Sequence, residues 1–204
     1  MNREFLLCKR LVASVLFVVA SAVLPTSSSA QEAPVFKITP LESRINFEVK
    51  ASVPIKGRFD HWKAALTFMS PDVTTAVFDV EIQAASVDTG SSLKNSKLKS
   101  ADFFDVDNNP LITFKSTKVV QTDPNTFELD GNFTIRGVTK AEKLALTVSG
   151  KGTGTGQING TMAFDRKDYG MNSSIPFIKI ADRVSVTVTL RATRVAGPPL
   201  VYKQ

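Results

Sequence analysis

The sequence predicts an all-β protein, an antiparallel meander of about eight strands with one short helix. Three observations support this prediction. Apolar and polar residues alternate with period two in segment after segment, the spacing that gives a strand one apolar face. Glycine, proline, aspartate and asparagine separate these segments and supply turn geometry. One segment, residues 91–100, replaces the alternation with lysines and serines around Leu93 and Leu98.

The alternation places the strands in order along the chain. In the first predicted strand, the alternation places Ile45, Phe47 and Val49 on one face. Strands are predicted at residues 44–50, 78–84, 111–118, 127–135, 144–148, 160–164 and 183–192. Residues 91–100 have the composition of a short helix or structured loop that covers an opening or an edge of the sheet. Five glycines between residues 150 and 160 predict a flexible hairpin.

Strands with one apolar face close into a barrel or fold over as a sandwich, and closure removes exposed edges. A barrel of this size either fills with side chains or holds one small ligand, and alternation alone fits both. An outer-membrane barrel, with its apolar face turned toward lipid, is a third interpretation of the alternation. We prefer a soluble barrel because Trp62, Tyr169 and Tyr202 are too few for two aromatic girdles.

Residues 1–30 have the pattern of a signal peptide. Three basic residues lie among the first ten, residues 11–24 form an apolar run, and residues 28–30 (Ser-Ser-Ala) offer a small-residue cleavage site. An uncleaved membrane anchor is the alternative. We therefore expect export, a periplasmic location and one domain over residues 31–204.

Composition excludes several classes of function. The predicted leader holds three basic residues and one acid, so its removal lowers the formal charge from +6 to +4. That charge is too weak to indicate a nucleic-acid partner, although it suits an anionic ligand or membrane surface. Cys8 is the only cysteine. We therefore expect no disulfide, cysteine nucleophile or thiolate metal site in the mature chain.

The polar motifs predict no catalytic residue, cofactor or metal. Asp105, Asp107 and Asn109 alternate as in a calcium loop, but Pro110 and Ser116 stand where an EF-hand needs glycine and glutamate. These acids are therefore predicted to form a turn. His61 is the only histidine, and the sequence contains no GxSxG turn that would hold a nucleophilic serine for it. A Ser-His-Asp catalytic site is therefore not predicted. A structural role or a polar ligand contact is expected for His61.

The run at residues 165–168, Asp-Arg-Lys-Asp, interleaves two acids with two cations. Such neighbours keep both carboxylates ionised, which disfavours acid–base chemistry. We expect structural salt bridges here. Arg166 and Lys167 nevertheless remain candidates for binding an anionic group.

Six segments together resemble the YceI-like family of exported lipid-binding proteins. They are residues 41–49 (LESRINFEV), 53–59 (VPIKGRF), 98–114 (LKSADFFDVDNNPLITF), 131–140 (GNFTIRGVTK), 164–172 (FDRKDYGMN) and 183–194 (RVSVTVTLRATR). The resemblance runs in order over nearly all of the predicted mature chain. It implies an extended, lipocalin-like antiparallel barrel that holds a polyisoprenoid or quinone-like lipid in its interior.

The resemblance also implies a site. The residues expected to line the interior are Phe47, Phe78, Val80, Phe103, Phe104, Phe114, Phe133, Ile135, Phe164, Val186 and Val188. The candidates for contacting a polar head group are Lys56, Arg58, His61, Arg136 and Arg166. Phe103 and Phe104 are expected to turn inward after the short helix, while Asp102 and the acids at 105–107 hold the loop backbone.

The expected ligand is a long-chain isoprenoid or another amphiphilic lipid. We also expect a transient contact with a membrane and a homodimer, and we expect no nucleic-acid partner. Two other functions stay open. One is an enzyme that modifies a lipid or quinone, with His61 and Asp168 as acid–base groups. The other is a stress-response interaction protein whose barrel is packed solid.

Overall fold

The computed structural model describes residues 32–174 and 179–203 of the 204-residue chain. The predicted signal peptide, residues 1–30, lies outside the described residues. Within those ranges the chain forms eleven β-strands and one α-helix. They are β1 (Val35–Ile38), β2 (Arg44–Ala51), β3 (Ile55–Phe59), β4 (Trp62–Thr67), β5 (Val77–Gln83), β6 (Val87–Asp88), α1 (Ser92–Lys99), β7 (Leu111–Asp123), β8 (Thr126–Ile135), β9 (Val138–Ser149), β10 (Thr155–Asp165) and β11 (Ile180–Ala196).

All eleven strands belong to one antiparallel sheet, in the order β4-β5-β7-β8-β9-β10-β11-β2-β3-β6, with β1 paired to β11. The two ends of the sheet come close together. β5 lies near one end and continues through a 3₁₀ turn, Ala84–Ser86, into β6, and β6 pairs with β3 at the other end of the strand order. The predicted antiparallel barrel with a short helix is confirmed. The alternation missed β1, β3, β4 and β6. β1 and β6 have only four and two residues, too few to show alternation, and Gly57 in β3 and the adjacent Ala64 and Ala65 in β4 obscure it there.

Strand register brings the apolar residues to one inner face. Phe114 on β7 lies opposite Phe133 on β8, and Val80 on β5 lies opposite Phe114 on its other side. All three side chains are buried. The alternating residues of β2, β5, β7, β8, β10 and β11 supply most of the core, as period-two spacing requires.

The barrel wall divides between β9 and β10. β9 pairs with β8 from Thr147 to Val138, but its ladder with β10 ends at the pair Ala145 and Thr161. A 3₁₀ helix, Arg166–Tyr169, follows β10 and places the Tyr169 ring, which is fully buried, against Phe133 and Phe164 at centroid distances of 5.5 and 5.2 Å. No helix among the described residues is long and apolar enough to cross a bilayer.

Candidate functional site

An apolar cavity of about 90 Å³ lies beneath α1, and we call it the helix-side cavity. Its walls come from β2, β3, β5, β7, β8, β10 and β11, and from the segment that follows α1. The surface that faces the cavity is apolar, whereas Lys94, Lys97 and Arg166 lie among its lining residues. This combination of an apolar surface with a few charged groups is typical of a site for an amphiphilic ligand.

Local hydrogen bonds hold α1 over this cavity. The Ser91 side chain accepts from the Lys94 amide and caps the helix. After the helix, the Phe104 amide donates to Leu98 O at 2.9 Å, and the Phe103 amide donates to Ser100 O at 3.0 Å. These bonds reverse the chain so that both phenylalanine rings turn inward.

The burial of these two rings confirms that part of the prediction. Phe103 and Phe104 are 5% and 7% exposed, and the Phe104 ring lies 5.9 Å from the Phe59 ring and 6.4 Å from the Phe47 ring, centroid to centroid. Contacts of this kind stabilise aromatic clusters beyond the area they bury. The two rings form part of the cavity wall on the side of α1.

The nearby acids hold the loop. Asp105 has a φ of 52°, and its carboxylate accepts hydrogen bonds from the side-chain amides of Asn108 and Asn109, both at 3.0 Å. Asp102 accepts from Lys97 and, at 3.1 Å, from the Ser173 hydroxyl. These bonds hold the pKa of Asp102 below its usual value, with the Lys97 bond the larger cause. The turn predicted for this motif is therefore present.

The predicted interior residues divide into three groups. Seven line the helix-side cavity, namely Phe47, Phe103, Phe104, Phe133, Ile135, Phe164 and Val186. Phe78 lines a different cavity, and Val80, Phe114 and Val188 are buried between the two. The structure thus brings most of the predicted set together around one space.

The second cavity, of about 120 Å³, lies at the glycine-rich turn between β9 and β10 (residues 150–154), and we call it the hairpin-side cavity. Pro199, Leu200 and Tyr202 from the C-terminal segment also line it. The inward residues that line neither cavity include Val80, Phe114, Leu144 and Leu190, all buried. The barrel interior therefore contains separate small cavities where the sequence predicted one hollow.

Four of the five predicted head-group residues, namely Lys56, Arg58, His61 and Arg136, line neither apolar cavity. Lys56 pairs with Glu48 at 3.4 Å. Arg58 pairs with Asp60 at 2.7 Å and with Asp88 at 2.9 Å, and the hydrogen bond to Asp60 raises the pKa of the Arg58 guanidinium. His61 is exposed in the turn between β3 and β4. Strand alternation places Lys56 and Arg58 on the outer face of β3, opposite to Ile55 and Phe59.

Arg136 has a structural role, because its guanidinium links separate segments of the backbone. It has a φ of 52°, and its guanidinium donates to Gly170 O and, at 2.8 Å, to Ala101 O. These bonds tie the turn after β8 to the two segments that flank the helix-side cavity. Arg136 itself lines neither cavity.

Arg166 is the predicted head-group residue that lines the helix-side cavity. It is 7% exposed, and its guanidinium donates to the carbonyls of Met171, Ser173 and Ala181. It also pairs with Asp182 at 3.0 Å. Because a guanidinium has five N–H donors, these bonds leave little capacity for a ligand. The salt bridges predicted for residues 165–168 are present.

Lys94 and Lys97 are the charged site residues that sequence reasoning missed, and apolar lining residues such as Phe59 and Met171 were also outside the predicted set. Both lysines line the helix-side cavity, and the Lys97 ammonium lies 5.8 Å from the centroid of the Phe103 ring, within cation–π range. The available signal was the composition of α1, SLKNSKLK, which has three lysines and no acid. A helix that covers a cavity with such a sequence presents positive charge at the mouth.

The alternative function as an enzyme needs His61 and Asp168 as acid–base groups. Asp168 is exposed in the 3₁₀ helix after β10 and pairs with Lys140 at 3.2 Å. His61 lies in the turn between β3 and β4. No hydrogen bond or salt bridge joins the two side chains in the described part of the chain.

The comparison with family models decides which family this barrel represents. The model of the YceI-like domain matches residues 36–192, which include β2 to β10 and α1. The chain belongs to the YceI-like domain family. Among curated relatives, the UPF0312 protein of Azotobacter vinelandii is 32% identical over 96 residues, which are 47% of this chain and 50% of the relative. This YceI-like chain therefore spans about half the length of that relative.

Solved structures share the YceI-like fold. BcnA of Burkholderia cenocepacia matches with a TM-score of 0.70 at 23% identity, over 77% of this chain and 100% of that one. A polyisoprenoid binding domain from Saccharophagus degradans, implicated in plant cell wall breakdown, matches with a TM-score of 0.62 at 14% identity, over 79% and 99% of the two chains. At these identities the likeness shows the fold.

Proposed function

We propose that this protein binds a long-chain isoprenoid or a similar amphiphilic lipid, with the apolar chain in the helix-side cavity. The observation that supports it is the apolar cavity closed by Phe103 and Phe104, with Lys94 and Lys97 in its lining. The polyisoprenoid binding described for the Saccharophagus domain of the same fold agrees with this ligand class.

A long chain needs more room than the side chains leave in the present arrangement. An apolar cavity of about 150 Å³ holds one benzene molecule, so about 90 Å³ admits only the end of an isoprenoid. The proposal therefore includes outward movement of α1 and the two rings that follow it. Such a movement is a shift to a lipid-bound conformation, driven by the ligand's preference for it.

The energetics favour carriage over permanent capture. Burial of a methylene contributes about 0.8 kcal/mol, so a five-carbon isoprene unit gains roughly 3–4 kcal/mol relative to water. Relative to a bilayer the gain is close to zero, because both surroundings are apolar. The protein therefore suits the transfer or shielding of a lipid between apolar environments. The periplasmic location and the transient membrane contact expected from the sequence belong to the same proposal.

A filled-cavity variant with a matched control tests the proposal. Val186→Phe places an aromatic ring in the helix-side cavity, and Val148→Phe makes the same change at a half-buried residue of the hairpin-side cavity. We expect lipid-stripped protein and Val148→Phe to bind geranylgeraniol in calorimetric titrations, and Val186→Phe to bind it at least about tenfold more weakly.

Direct chemical evidence comes from the purified protein itself. Organic extraction followed by mass spectrometry is expected to release an isoprenoid lipid. A protein that carries no lipid and also takes up no geranylgeraniol would contradict the proposed function, because both results would leave the apolar cavity without a ligand.

A further inference from the structure

The hairpin-side cavity is separate from the helix-side cavity. Within residues 32–174 and 179–203 the two share no lining residue, and buried side chains, among them Val80, Phe114 and Leu190, lie between them. A ligand in one cavity therefore does not contact the walls of the other in this arrangement. The hairpin-side cavity also has about 120 Å³ of its own, close to the size that holds one small ring.

The C-terminal segment closes this cavity through specific contacts. The Val201 amide donates to Pro71 O at 2.8 Å, and the Val73 amide donates to Val201 O at 3.1 Å. Next along the chain, the Tyr202 ring lies 6.3 Å from the Phe127 ring, centroid to centroid. The segment thus packs as part of the cavity wall.

Two cations lie at the same wall. The Lys151 ammonium sits 4.1 Å from the centroid of the Tyr202 ring, and the Arg194 guanidinium donates to Gly197 O. Both residues line the cavity. Among the described residues, neither forms a salt bridge with an acid. An apolar space bordered by two cations that have no acidic partner in the described ranges matches a molecule with a short apolar group and a negative head.

We propose that the hairpin-side cavity is a second binding site, which takes a small amphiphilic carboxylate. The apolar end, of about six carbons, enters between the glycine-rich turn and Tyr202. The carboxylate accepts hydrogen bonds from Lys151 and Arg194. This site is independent of the isoprenoid site proposed above, because the two cavities have different walls.

Octanoate is a suitable probe, and two molecules of equal chain length are its controls. Octan-1-ol has no charge, and octylammonium has the opposite charge. We expect octanoate to shift the amide resonances of Gly150, Gly152 and Gly154 in NMR titrations of isotope-labelled protein. Both controls are expected to bind about tenfold more weakly, the change produced by loss of one charged hydrogen bond.

Substitutions locate the site. Lys151→Gln is expected to weaken octanoate binding about tenfold and to leave octan-1-ol binding unchanged. Val148→Phe is expected to abolish octanoate binding, whereas Val186→Phe, the same change in the other cavity, is expected to preserve it. If Val148→Phe does not fold, the resonance map and Lys151→Gln still decide the question.

Three results would overturn the proposal. One is equal binding of octanoate, octan-1-ol and octylammonium, which would remove the role of the two cations. Another is loss of octanoate binding in Val186→Phe alone, with shifted resonances around α1, which would assign the carboxylate to the helix-side cavity. The third is the absence of any octanoate-induced shift.

Discussion

The Tyr169 hydroxyl donates a hydrogen bond to Glu142 Oε1 at 2.9 Å. This bond joins the 3₁₀ helix after β10 to β9, across the part of the wall where the β9–β10 ladder has ended. The ring behind the hydroxyl is fully buried against Phe133 and Phe164. A single side chain therefore seals the wall with apolar contacts inside and a polar contact outside.

We expect Tyr169→Phe to lower the free energy of unfolding by about 1 kcal/mol, because it removes one hydrogen bond and keeps the ring. Tyr169→Ala is expected to cost about 3–5 kcal/mol, since it also creates a cavity. Urea denaturation measures both values. Equal losses in the two variants would show that the ring does not seal the wall.

The buried phenol of Tyr169 is expected to make the stability of the fold depend on pH in the alkaline range. Burial, followed by the hydrogen bond to Glu142, raises the pKa of the Tyr169 phenol above its ordinary value of 10.0. Above pH 10 the unfolded chain therefore loses this proton while the folded protein keeps it, and the free energy of unfolding falls as pH rises. The fall is expected to be shallower in Tyr169→Phe. Parallel pH profiles for the two proteins would contradict this account.

Arg166→Gln is expected to lower the free energy of unfolding by about 3 kcal/mol, because it removes a buried guanidinium that donates charged hydrogen bonds. The change also deprives the carbonyls of Met171, Ser173 and Ala181 of their donor. Arg183→Gln, on the exposed face of β11, is the matched control and should stay near the wild-type value. A small effect of Arg166→Gln in thermal and urea unfolding would show that water replaces the guanidinium.

Gly57→Ala is expected to reduce isoprenoid binding. A Cβ atom at Gly57 would lie 2.5 Å from Phe47 Cζ, so the Phe47 ring must move within the helix-side cavity. Gly160→Ala is the control, because its Cβ would meet Leu146 Cδ2 at 2.8 Å, in the wall of the hairpin-side cavity. Calorimetric titration with geranylgeraniol compares them. Weaker binding in both variants would indicate a general loss of stability.

Lys94→Glu is expected to weaken the binding of a polyprenyl phosphate about fivefold, because it reverses a charge near the helix-side cavity. Binding of the uncharged polyprenol should not change. Lys118→Glu, an exposed position on β7, is the control for net charge. If both substitutions act equally on the phosphate, the effect belongs to the overall charge of the protein.

The sequence predicted those features that depend on local pattern. Period-two alternation predicted the inner faces of the strands, and the family resemblance predicted the burial of Phe103 and Phe104. The family resemblance also predicted the barrel, whereas the lipid ligand that it implies is a proposal. The roles of Lys56, Arg58 and Arg136 depend on distant partners, such as Asp88 for Arg58 and Ala101 for Arg136, which spacing along the chain does not reveal.

The hairpin-side cavity was beyond sequence reasoning for a similar reason. Its wall depends on contacts between the chain's last residues and strands far away in sequence, such as the Gln121 side chain with the Lys203 backbone at 2.8 and 2.9 Å. The division of the interior depends on which side chains meet at the centre. Alternation shows that a residue points inward, but it does not give the volume left between opposite walls.

The 17 residues of β11 pair with β10 on one side and with both β1 and β2 on the other. β2 pairs with β3 directly after it in the chain, whereas β1 and the second edge of β2 find their partner only in residues 180–196. Pairing between such distant segments makes folding slow. Closure of the barrel by β11 is therefore expected to be a late step in folding.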